Sequence, residues 1–137
     1  MKKPIVWNKE NVITNGIWII IGETYDPYKQ FKAKRGTKAP KSMDHTLRFV
    51  EYEERHIESW EDTTLSEIGE KSMYDEKFDE VVFTTHGGTF DLEHIEDCFY
   101  AAWIKPDDPV KIGVNVNETM LIVKNEKLLL AIMGMIV

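Results

Sequence analysis

A single cysteine, Cys98, in 137 residues excludes a disulfide within the chain, and the sequence therefore fits a protein of a reducing cytosol. Long apolar runs are missing as well. The most apolar segment, LLLAIMGMIV at residues 128–137, is far shorter than the roughly 20 residues a membrane helix requires. The first residues lack the basic, apolar and small-residue order of a secretory leader. Diagnostic catalytic signatures are absent too: there is no HExxH, no paired CxxC and no GxSxG elbow. Together these absences lead to the expectation of a cytoplasmic protein with no cofactor and no membrane span.

What is present suits one folded unit. With 42% hydrophobic and 11% aromatic residues, a chain of this length buries a substantial core without staples. The net charge of −7 is unevenly distributed. Residues 1–50 carry ten Lys or Arg against four Asp or Glu, residues 51–97 carry three against sixteen, and the remainder balances. Kept apart on the folded surface, such segregation makes an anionic face that steers toward a basic partner.

The clearest local signal lies between Asp79 and Lys105. Leu92, Ile95, Phe99, Ala102 and Trp103 fall on one stripe of a 3.6-residue helix, with Glu93, Asp97 and Tyr100 on the opposite face. Thr89 or Asp91 supplies the N-cap, and Pro106 bounds the helix at Ile104, predicting a helix over about 91–104. Val81, Val82 and Phe83 form a strand before it, so that His86-Gly87-Gly88 reads as a tight strand-to-helix turn.

Elsewhere, Asn15-Gly16 between two β-prone runs predicts a tight hairpin, because both residues tolerate positive φ. Ile17–Ile21 shows no polar alternation and reads as a strand covered on both faces. Residues 23–45 read as a long basic loop. TLRFVEY, residues 46–52, reads as a strand: a helix there would set Glu54 inside the apolar stripe of Met43, Leu47, Val50 and Ile57. Thr64 and Glu67 have capping-box spacing and predict a short helix over about 65–71. Val110, Ile112, Val114 and Val116 alternate with polar residues as a half-buried strand, and two apolar runs about Asn125-Glu126 form a final hairpin. The fold class that follows is α+β: a single domain over residues 1–137, with a mainly antiparallel sheet of about five to seven strands. Leu92, Ile95, Phe99, Trp103, Ile19, Ile112 and Val114 are the expected core.

Three functional classes compete. In the first, Glu51, Glu53, Glu54, Glu58, Glu61 and Asp62 form an anionic surface that binds a protein with a basic face, as inhibitory modules and nucleic-acid mimics do. In the second, the chain is a small hydrolase or metal-dependent enzyme centred on the glycine turn. His94 and Cys98 at i and i+4 point the same way, and with His86 they offer three ligands to a soft divalent ion, or a thiolate pair. In the third, Tyr25, Tyr28, Lys32, Lys34, Arg35 and Lys38 bind phosphate, a nucleotide or a nucleic acid by stacking and charge, against the repulsion of the acidic remainder. The sequence favours the first class. The apolar C-terminal run adds a central strand or, alternatively, a homo-oligomer contact.

Overall fold

The computed structural model describes residues 5–7, 12–14, 16–22, 34–37, 41–77, 79–83, 88–115, 117 and 119–134. Strands β1 (Ile5–Trp7), β2 (Val12–Thr14), β3 (Trp18–Gly22), β4 (Lys34–Thr37), β5 (Glu61–Thr63), β9 (Val110–Val114), β10 (Met120–Lys124) and β11 (Leu128–Met133) build one sheet in the order β4-β1-β2-β3-β11-β10-β9-β5. Its described pairings are antiparallel except for β1 beside β4. A smaller antiparallel sheet holds β6 (Met73–Asp75), β7 (Asp79–Phe83) and β8 (Thr89–Asp91). Helices α1 (Lys41–Arg55), α2 (Leu65–Glu70) and α3 (Leu92–Ala101) complete the described elements. The fold is α+β, as the sequence predicts, with a larger sheet than expected.

The large sheet has apolar residues on both faces. Trp18 and Ile20 of β3, with Leu130 and Ile132 of β11, join the cluster that contains Ile95, Cys98 and Phe99 of α3. Their neighbours Ile19 and Ala131 join the opposite cluster with Val50 of α1. Side chains alternate across a strand, so a run without polar residues fits a sheet packed on both sides. β11 pairs with β3 on one edge and β10 on the other, which makes Leu128–Met133 of the C-terminal apolar run an interior strand of the sheet.

Both expected hairpins form. At the first, the register pairs Thr14 with Ile19, where a two-residue turn would pair Thr14 with Ile17. Gly16 takes φ +89° and donates its N–H to Thr14 Oγ1 at 3.0 Å, while Thr14 Oγ1 donates to the Trp18 carbonyl at 2.6 Å, so the threonine side chain organises a wider loop. At the second, Asn125 Oδ1 accepts from the N–H groups of Lys127 and Leu128 at 2.9 and 2.8 Å.

Residues 41–55 are a helix, which corrects the strand expected over residues 46–52 and shortens the basic loop. Glu54 does lie beside the inward stripe, but Lys124 of β10 meets it at 3.2 Å and also stands 4.0 Å over the Trp60 ring. A half-buried carboxylate is tolerable on an inward face when a lysine compensates it. That lysine lies seventy positions away in sequence, so the local pattern alone argues for the wrong element. Within the same basic segment Lys34–Thr37 forms β4, while residues 23–33 and 38–40 lie outside the described residues.

Candidate functional site

The third helix starts where a carboxylate can satisfy its exposed amides. Asp91 is the N-cap, and the Glu93 N–H donates to its Oδ1 at 2.9 Å. The helix does not follow β7 directly, because β8 lies between them and pairs antiparallel with β7, Phe83 opposite Thr89. Gly88 therefore precedes a strand, and the strand-to-helix turn expected at His86-Gly87-Gly88 is replaced by a β7–β8 connection whose residues 84–87 lie outside the described residues.

At its other end α3 stops three residues earlier than expected. Ala102 is the C-cap, Trp103 adopts a left-handed backbone with φ 59°, and the chain reverses. The Ile104 N–H donates to the Phe99 carbonyl at 2.9 Å and the Trp103 N–H to the Tyr100 carbonyl at 3.1 Å, the paired bonds of a Schellman motif. Ile104 folds into the core beside Phe99, and Trp103 is left 68% exposed, contrary to its expected place in the core. Leu92, Ile95, Phe99 and Ile19 are buried as expected, and Ile112 and Val114 pack partly buried against the same cluster as α3.

A left-handed cap usually carries glycine, because a Cβ there costs about 1 kcal/mol or more. A tryptophan in that position leaves about two thirds of its surface in water. One turn back Tyr100 is 63% exposed. Glu93, Glu96, Asp97 and Tyr100 recur at i, i+3, i+4 and i+7, so carboxylates and an aromatic ring share the outward stripe of α3, and Trp103 stands at its end.

The carboxylates on this stripe crowd each other. Partial burial, then Glu80 of β7, Asp97 and Glu93, push the Glu96 carboxyl above its ordinary value. Partial burial and then Glu93 do the same to Asp97, with Asp91 adding to the effect and His94 opposing it. Carboxylates held in mutual repulsion are unfavourable for folding alone, and groups perturbed in this way concentrate at functional sites. Since the folded chain binds the Glu96 proton more tightly than the unfolded chain does, stability falls as pH rises from the ordinary value of 4.5 through the raised one, and the loss is complete above it. Glu96→Gln is therefore expected to raise Tm at pH 7 by about 2 °C, corresponding to about 0.5 kcal/mol of relieved like-charge pairs. Thermal unfolding at pH 7 and pH 3.5 checks this. An equal gain at both values would show that the crowding is not its cause.

Of the six carboxylates singled out between Glu51 and Asp62, three are paired with lysines. Helix geometry separates Glu51 from Glu53 by about half a turn. Glu54 faces the sheet with Lys124 at 3.2 Å. Glu61 meets Lys71 at 3.2 Å and Asp62 meets Lys111 at 3.1 Å, both pairs solvent-exposed. Glu58 is exposed beyond the end of α1. The acidic run is thus partly neutralised, whereas Glu80 of β7 and the α3 carboxylates Glu93 and Asp97 all act on Glu96.

His94 and Cys98 sit on α3, one turn apart, in different surroundings. The imidazole is half-buried, with Nε2 3.9 Å from Asp91 Oδ2, and its buried Nδ1 has no hydrogen-bond partner among the described residues. Cys98 is fully buried in the core, where burial, and then Asp97, push its thiol well above the ordinary range. A thiol held neutral in apolar packing suits a core residue better than a nucleophile or ligand. Among the described residues no group of three or more His, Cys, Asp or Glu side chains is placed to hold a metal ion, and His86 lies outside them. Tyr25, Tyr28, Lys32 and Lys38 also lie outside the described residues, while Lys34 and Arg35 fall in β4 at one edge of the large sheet. No helix among the described residues is long and apolar enough to cross a membrane.

No protein-family model, curated protein or solved structure matches the chain.

Proposed function

We propose that the chain is a small protein-binding module that docks a basic partner on the outward face of α3, with Glu93, Glu96, Asp97 and Glu80 as the anionic field and Tyr100 and Trp103 as anchors. The observation that carries this reading is Trp103: an exposed indole held in a left-handed cap beside crowded carboxylates. Tryptophan and tyrosine supply a disproportionate share of binding energy at protein interfaces, because they bury large, rigid surfaces. Carboxylates around them raise association rates with basic partners and set orientation. Mutual repulsion that costs stability in the free protein is relieved when cations from a partner enter the same field. The sequence points to an anionic face; the reading keeps that chemistry and moves it from residues 51–62 to α3 and β7.

The test compares wild-type protein with Glu93→Lys/Glu96→Lys/Asp97→Lys as bait for partner capture from the source cytosol, followed by binding measurements on the captured protein. The reversal is expected to weaken binding at least tenfold and to remove most of its dependence on ionic strength. Glu58→Lys, on the other segment, is expected to bind as wild type. A partner held equally by the α3 reversal and by wild type would overturn the proposal.

A further inference from the structure

Helix α1 has a second face that the sheet does not use. Val50 is buried and Leu47 packs beside it against the sheet, which fixes the inward side. On the opposite side His45, Phe49 and Tyr52, with His56 in the turn that follows the last helical residue, recur with spacings of four, three and four residues. Phe49 is 45% and Tyr52 53% exposed, and both histidines are exposed. The stripe is ordered internally: the Tyr52 and His56 rings stack at 4.1 Å, and His56 Nδ1 donates to the Tyr52 carbonyl at 2.7 Å. Spacings of four and three are those of the a and d positions in a heptad, the pattern with which one helix meets another side by side.

The flanks of the stripe say what meets it. Arg48 and Arg55 border one side and Glu53 borders the other, at the positions equivalent to g and e. When two copies of the helix lie parallel across a two-fold axis, g of one faces e of the other, so Arg48 meets Glu53 of the second copy, twice by symmetry. When two copies lie antiparallel, like flanks face each other, and Arg48 meets Arg55. The charges thus select one occupant and one orientation. We propose that α1 is a self-association surface: two copies of this chain pack α1 in parallel along the His45–Phe49–Tyr52–His56 seam, with reciprocal Arg48–Glu53 pairs. The seam is about 16 Å long, which makes a small contact and a weak, concentration-dependent dimer. It uses no residue of α3, so the dimer leaves the outward face of that helix open, and two such faces on one particle would strengthen binding to a repeated partner.

Sedimentation velocity over a concentration series reaching the millimolar range tests this on the full chain. Wild type is expected to shift from monomer to dimer. Arg48→Glu alone sets carboxylates face to face and is expected to weaken association at least tenfold; Glu53→Arg alone sets guanidinium groups together and does the same. The double variant R48E/E53R exchanges the two charges and is expected to recover wild-type association to within about threefold. Tyr52→Ser is expected to abolish the dimer without loss of helix content by far-ultraviolet circular dichroism. Four outcomes would overturn the proposal: a wild-type monomer at every concentration, single reversals without effect, tighter association by R48E, which the antiparallel arrangement requires, or a double variant that fails to recover.

Discussion

Phe99→Ala is expected to destabilise the protein by about 3–5 kcal/mol, whereas Tyr100→Ala, the next residue along, is expected to change stability by no more than about 0.5 kcal/mol. Phe99 is fully buried in the cluster that joins α3 to β3 and β11, and its truncation removes a whole ring from close packing. It also anchors the end of the helix. The Ile104 N–H donates to its carbonyl and Ile104 packs into the same cluster, so the apolar contact that accompanies the Schellman turn is lost with the ring. Tyr100 points the other way and is largely exposed. Urea unfolding of both variants checks the contrast. A Phe99→Ala cost below about 1 kcal/mol would mean that α3 is not packed on the sheet through this face.

The consequence extends to the outward stripe. Glu93, Glu96, Asp97 and Tyr100 hold their spacing only while the inward residues Leu92, Ile95 and Phe99 hold the helix against the sheet. Binding measured on Phe99→Ala is therefore expected to fall together with helix content, while surface variants lose binding with the fold intact.

Much of this arrangement is readable in the sequence, for reasons that differ between elements. The apolar stripe of α3, the Thr64 cap and the alternation of β9 are local patterns, and local patterns report local structure. At the Thr64 cap the Glu67 N–H donates to Oγ1 at 3.2 Å as the spacing predicts, but the Glu67 carboxylate accepts from Thr63 at 3.1 Å in place of closing the box. Helix α1 is not readable in this way: the Glu54 side chain argues against it until Lys124 is known to stand beside it. Trp103 misleads for a related reason. Its spacing continues the apolar stripe, yet the backbone reversal after Ala102 exchanges its place with that of Ile104, and only the tertiary packing of Ile104 decides which of the two goes inside. Charge is the least local property. A count along the chain marks residues 51–97 as acidic without saying which carboxylates meet, and Glu80 reaches the α3 carboxylates only through the pairing of β7 with β8.

Trp103→Gly has two expected effects of different size, and their combination follows from the position of this residue. Glycine takes a left-handed cap without Cβ strain, so the folded state gains about 1–2 kcal/mol. The more flexible unfolded chain takes back part of this. The buried third of the indole is lost as well, worth about 1–2 kcal/mol, so Tm is expected to stay within about 4 °C of wild type. Losing an interface tryptophan typically costs 2 kcal/mol or more of binding, about thirtyfold in affinity.

The most direct single measurement is therefore the affinity of Trp103→Gly for the captured partner, made on protein whose Tm has been recorded alongside wild type. Stability close to wild type with affinity reduced about thirtyfold or more is the expected result. Unchanged affinity on an equally stable fold would contradict the placement of the binding surface on the outward face of α3.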